Sequence, residues 1–307
     1  MNIMNKRFLF FLISGLLILI SVISLATVGL KSGIEFSSGS MLTLKFETPV
    51  DTAQFKQEIV RLGYGDAIIQ NISGSEFLIR TKELSEEAKA EIETALFARF
   101  GSLSESQFYS VSPLVAAETT RDTAIAVAVA LVGILLYVTW AFRKMPNPFR
   151  FGACAVIALF HDALVTLGVF SLLGAIFNWE INLMFIIGIL TVIGYSINNT
   201  IVVFDRIREN QVKGVSADFE IIANNSVTET LSRSFNSSLT SLITVVALLL
   251  FIGSTIQNFA VILLIGIIAG TFDSVFVAPG LLVVWDKNEW HRFIGRSGRS
   301  KPAQVKA

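Results

Sequence analysis

The chain has 307 residues, 53% of them hydrophobic and only 16% charged, with a mean hydropathy of +0.66 and a formal net charge of zero. That is more apolar than the roughly 45–50% of soluble domains, which excludes an ordinary water-soluble globule. The Lys and Arg outside residues 31–122 are scattered through short loops, which excludes a nucleic-acid surface, and the single cysteine, Cys154, excludes an intrachain disulfide or a cysteine-based metal centre.

The first apolar run, Phe8 to Leu30, follows Lys6 and Arg7 and carries no charge over 23 residues, long enough to cross a bilayer. It exceeds the h-region of a signal peptide and lacks a small-residue cleavage site, so it is expected to remain as an anchor. Residues 31–120 then change character. Residues 31–122 hold 23 of the 48 formal charges, 14 acidic and 9 basic. Met41–Glu47 alternates as a strand, and Asp51–Leu62 has helical spacing behind Pro49. Ala67–Ile72 and Glu76–Lys82 read as a hairpin around Ser73, Gly74 and Ser75, Ser85–Phe100 as an amphipathic helix, and Phe108–Val111 as a last strand. This βαββαβ order predicts a ferredoxin-like α+β domain.

Five further apolar stretches follow, at about 123–142, 151–177, 181–204, 239–257 and 258–285, the last two divided where Ser, Thr, Gln and Asn gather between Gly253 and Asn258. The predicted organisation is a first span at 1–30, the folded domain at 31–120, spans two to six at 121–286 and a basic tail at 287–307. Lys6 and Arg7, Arg143 to Arg150, Arg206 to Lys213 and the tail put a basic segment on every second loop. By the positive-inside rule both termini are cytoplasmic, and residues 31–120 lie outside.

Ionisable side chains at membrane depth cost several kcal/mol on insertion scales, so each needs a partner, water or a function. Asp162, beside His161, lies 12 residues past Arg150, about 18 Å up the helix and near mid-membrane. Asn198 and Asp205 share one stripe of the fourth span, and Asn199 and Arg206 the adjacent one. Arg233 stands in the polar run Leu231–Thr244 at the entry to the fifth span. Asp273, in the sixth, has only apolar neighbours in sequence and is expected to look across the bundle to Arg233. Bland readings stand beside these: an interhelical hydrogen bond for Asp162, small-residue packing for Asn198 and Asn199, a solvated helix end for Asp205 and snorkelling for Arg233.

Val192–Asn210, VIGYSINNTIVVFDRIREN, resembles the fourth-span signature of the SecF family, membrane subunits of the bacterial protein-export machinery. Gly33–Gly39 (GIEFSSG), His161 with Asp162, LSRSFNSSLTSL in the fifth span and the six-span layout also fit. The resemblance implies an RND-type transmembrane fold in the cell (inner) membrane, paired with SecD. It further implies use of the proton motive force to help secretory polypeptides leave the SecYEG channel, with YajC and YidC as further neighbours. No cofactor beyond the proton gradient is implied, and membrane lipid is the surrounding partner. The chain departs from the family in two places. It has Asn198, Asn199 and Thr200 where the family has Asn-Asp-Thr or Asn-Asp-Ser, and an amide cannot carry a proton. It also has Asp273 where a small hydroxyl is common. The expected relay is therefore Asp162, Asn198, Asn199, Asp205, Arg233 and Asp273, with the carboxyl relocated from position 199 to Asp273.

Two other classes are weaker. An RND-type exporter of small hydrophobic molecules usually has about twelve spans in one chain, so six would require a homodimer. An intramembrane enzyme would need a nucleophile near His161, and no HExxH, Walker loop or GxSxG occurs. The chain is expected not to be an enzyme.

Overall fold

The structure, a computed structural model, describes residues 2–251 and 256–292. Two compact units are present: Lys31–Ala126 with Glu180–Leu183 form one, and the described parts of Met1–Leu30, Val127–Trp179 and Met184–Ala307 the other.

In the first unit a short helix α2 (Ile34–Ser37) leads into β1 (Gly39–Phe46), α3 (Thr52–Arg61), β2 (Ile68–Asn71), β3 (Glu76–Thr81), α4 (Glu86–Phe100) and β4 (Leu103–Val111). The Asp51 side chain caps α3 by accepting from the Ala53 and Gln54 N–H groups, and Ser85 caps α4 through the Ala88 N–H. The sheet order is β2-β3-β1-β4, every pair antiparallel, with Thr43 of β1 opposite Leu78 of β3 and Gln107 of β4. Strand alternation turns Leu42, Leu44, Phe46, Phe77 and Ile79 to one face, where Phe55 and Ile59 of α3 and Ile92 and Leu96 of α4 bury them. Strands and helices thus appear in the expected βαββαβ order, the ferredoxin-like arrangement. The turn Glu180–Leu183 belongs to this unit through backbone bonds. The Ile181 N–H donates to the Lys31 carbonyl at 2.8 Å, the Gly33 N–H donates to the Ile181 carbonyl at 2.8 Å, and Arg80 pairs with Glu180.

The remaining helices are α1 (Arg7–Thr27), α5 (Pro113–Ala141), α6 (Phe149–Phe177), α7 (Leu183–Val212), α8 (Phe219–Phe251), α9 (Gln257–Phe272) and α10 (Ala278–Asp286), the last two joined by a π turn, Asp273–Val277. Six helical segments among the described residues are long and apolar enough to cross a membrane, α9 to α10 counting as one. Two starts differ from expectation. The helix that carries the second apolar stretch begins at Pro113, ahead of the apolar residues from 123, because Thr119 to Asp122 continue the helix without being apolar. The fifth is one helix from Phe219, not a separate apolar span from 239. Phe219, Ile222, Ala223 and Val227 face inward over its first turns, so residues 219–229 belong to the bundle. Residues 252–255 of the expected division and 293–307 of the basic tail lie outside the described residues.

α6 packs along α1 because Gly168 removes a side chain at the crossing: a Cβ there would lie 2.2 Å from Ser21 Cβ and 2.4 Å from its Cα. At one end of the bundle charges are paired across helices. Arg7 Nε donates to Glu289 Oε2 at 3.1 Å, Arg7 Nη1 lies 3.1 Å from Glu220 Oε1, Arg150 Nη1 donates to Asp286 Oδ1 at 2.6 Å and Lys287 Nζ to Glu220 Oε2 at 2.5 Å. Just outside the spans, the Glu220 side chain holds the Lys287 ammonium above its ordinary value, and the Glu220 backbone N–H holds the Asp218 carboxyl below its own.

A buried carboxyl and imidazole cluster as candidate functional site

α6 crosses the bundle with His161 and Asp162 buried in its middle, and the sixth span meets them at its π turn, whose first residue is Asp273. π turns insert one residue into the helical ladder and recur at functional sites. Three ionisable side chains converge. His161 Nδ1 lies 3.1 Å from Asp162 Oδ1 and 3.6 Å from Asp273 Oδ1, and the Ser196 hydroxyl of α7 donates to Asp162 Oδ2. Thr166 closes the local backbone by donating to the Asp162 carbonyl at 2.7 Å. The close approach of α7 and α9 here depends on Gly270, whose added Cβ would fall 2.9 Å from Ser196 Oγ and 3.3 Å from Asp162 Oδ2.

Hydrogen bonding divides the two carboxyls. Asp162 has a hydrogen-bond partner for each oxygen, the Ser196 hydroxyl donating to Oδ2 and His161 Nδ1 sharing a proton with Oδ1. Both Asp273 oxygens and His161 Nε2, by contrast, are buried without a hydrogen-bond partner among the described residues. Ligand-type atoms of the three residues lie within 4.8 Å of one another, a spacing a metal ion can bridge. In the arrangement described, His161 Nδ1 is hydrogen-bonded to Asp162 Oδ1.

One turn along α7 from Ser196 a second, uncharged layer follows. Asn199 Nδ2 donates to Ser238 Oγ of α8 at 3.2 Å, and Ser238 Oγ lies 2.6 Å from Thr271 Oγ1 of α9. Of the residues expected in the relay, Asp162, Asn199 and Asp273 are thus brought inside. Asn198, Asp205 and Arg233 are exposed. Asp205 pairs with Arg208 at 2.6 Å, a helix-end ion pair, while its neighbour Arg206 pairs with Glu229 at 2.6 Å. The expected Asp273–Arg233 pair is not formed within this chain, and the reason is helical phase. Ser234 and Ser238, one turn apart, take the buried face of α8, and Arg233 sits about 100° away from Ser234. His161, Ser196, Ser238 and Thr271 were not among the expected relay residues. The available signal was the spacing of small hydroxyl residues one turn from Asn199 and between Ser234 and Ser238.

Residues 91–288 match the family described as "Protein export membrane protein SecD/SecF, C-terminal", and residues 23–50 match the "SecD/SecF GG Motif". The protein translocase subunit SecF of Thermobaculum terrenum is 41% identical over 96% of this chain and 97% of its own length. That of Anaerolinea thermophila is 37% identical over 99% and 100%. Among solved structures, the translocon-associated membrane protein SecDF of Thermus thermophilus matches with a TM-score of 0.81 and 33% identity, covering 94% of this chain but 39% of that one. SecDF in a super-membrane-facing form matches with a TM-score of 0.66 and 30% identity, covering 96% and 40%. The βαββαβ unit, the six spans and these matches over nearly the full length lead to one conclusion: the chain belongs to the SecF family of protein translocase subunits.

Proposed function

We propose that this chain works beside a separate SecD chain in the cell membrane and uses the proton motive force to help secretory polypeptides leave SecYEG. In this reading both termini are cytoplasmic, the α/β unit faces outward, and the chain moves polypeptide without breaking a covalent bond itself. The observation that carries it is the exposed polar surface within the spans: Asn198 of α7 with Arg233, Asn236, Ser237 and Thr240 of α8 all face away from this chain's own core. A guanidinium and amides turned to lipid cost too much to stay uncovered, so another membrane chain is needed to cover them. The 39% coverage of the SecDF chain leaves room for such a partner.

The test is affinity purification of the tagged chain from detergent-solubilised membranes of cells that also express SecD. SecD is expected to co-purify in equal amount, and Arg233→Leu to reduce its recovery several-fold. Recovery of a homodimer without SecD would instead support the twelve-span exporter.

A further inference from the structure

We propose that His161 is the switching group of a proton-exchange site inside this chain: its Nδ1–H is shared between the carboxyls of Asp162 and Asp273 and turns to whichever is ionised. The proposal deepens the reading above and rests on it for its purpose, the use of a proton gradient.

The geometry carries it. Nδ1 stands between two carboxyl oxygens, 3.1 Å from Asp162 Oδ1 and 3.6 Å from Asp273 Oδ1. In the proposed resting arrangement, the side with two hydrogen-bond partners, Asp162, is the carboxylate. Asp273, fully buried and without any donor, is the neutral acid. Exchange reverses the roles with the proton count conserved. Asp273 gives up its proton, COOH → COO⁻ + H⁺, Asp162 takes one up, COO⁻ + H⁺ → COOH, and the imidazole stays neutral while its N–H bond swings by a small ring rotation. At the π turn the Asp273 N–H donates to the Ala269 carbonyl and the Asp273 carbonyl accepts from the Ala278 N–H five residues on, so the backbone is held and the exchange needs only side-chain and ring rotation.

Among the described residues the other charges on the elements around the site are paired elsewhere or exposed, and on α7, which supplies Ser196, Asp205 pairs with Arg208, Arg206 with Glu229 and Glu209 with Lys213. Of the elements packed on the π turn, α9 has no charged residue, and α1 has only Arg7, paired with Glu289 and Glu220. α10 has only Asp286, paired with Arg150 of α6. On α8, Glu220 pairs with Arg7 and Lys287, Glu229 with Arg206, and Arg233 is exposed. Two carboxyls and one imidazole with no cationic side chain must hold a proton or another cation between them.

The test uses the purified full chain in detergent, with neither SecD nor a gradient, so a missing partner and a missing site give separate results. The chain has two histidines, His161 and His291, so ¹⁵N-histidine NMR with His291→Gln as the assignment variant reads one imidazole. The expected result is a neutral, Nδ1-protonated ring whose signal shifts across a pH titration, and Asp273→Asn abolishes that shift. Infrared spectra should show a titrating protonated-carboxyl band that Asp162→Asn and Asp273→Asn each reduce by about half. His161→Ala should move its midpoint by about one pH unit or more, while His161→Asn, which keeps an N–H donor near Nδ1, should restore most of it. Three results would each overturn the proposal: an Nε2-protonated ring, a titration indifferent to Asp273→Asn, or a stoichiometric divalent metal ion that a chelator removes from the site.

Discussion

Asparagine in place of Asp162 is expected to slow gradient-driven export about tenfold or more, equivalent to at least about 1.4 kcal/mol of lost coupling. The change is nearly isosteric, and the amide oxygen still accepts from Ser196, so the bundle should assemble. What is lost is the capacity to bind and release a proton at the centre of α6. The measurement is the half-time of precursor processing in cells whose only SecF is the variant, with membrane levels checked by immunoblot. Processing at the normal rate in Asp162→Asn would move the proton carrier out of this cluster.

Leucine in place of Gly168 is expected to be the most damaging single change to the fold. The first side-chain atom would already overlap Ser21 Cα and Cβ, so α1 must move off α6 rather than a side chain merely turning aside. Overpacking typically costs about 1–3 kcal/mol, and a clash with backbone belongs at or beyond the upper end. Gly194→Ala is the control, because its added Cβ would meet nothing within 4 Å. Thermal unfolding of the purified chains should show Gly168→Leu lowering the midpoint by several degrees, with the control close to the parent. Equal midpoints would mean that α1 and α6 do not pack as described.

The α/β unit was legible because its signals are local: Leu42, Leu44 and Phe46 alternate, Asp51 and Ser85 stand at helix starts, and Ser73 to Ser75 mark a hairpin. Span number was legible for the same reason. Span boundaries were less so, since Thr119 to Asp122 and residues 219–229 are helical without being apolar, and hydropathy cannot see a polar helix packed inside a bundle. The site was half legible. Depth along the helix placed Asp162 and Asp273 in the membrane, but the partner of each depends on the rotation of helices about their axes. That rotation is accommodated by Gly168, Gly270, Ser234 and Ser238, small residues whose spacing marks a packed face without naming the helix that packs on it. The π turn at Asp273 is marked in the sequence only by Pro279 just beyond it, which interrupts the helical ladder without saying which way Asp273 points. The carboxyl expected to move from position 199 to Asp273 therefore meets an imidazole and a second carboxyl, while Asn199 settles into the neutral layer with Ser238 and Thr271.

Whether a proton gradient acts on export through the buried carboxyls of this chain is tested most directly in vesicles containing SecYEG, SecD and this chain. Release of a secretory polypeptide is timed with and without an imposed proton gradient. The account predicts that the gradient accelerates release with the unaltered chain and that the acceleration disappears with Asp273→Asn. An undiminished acceleration in Asp273→Asn and Asp162→Asn alike would contradict it.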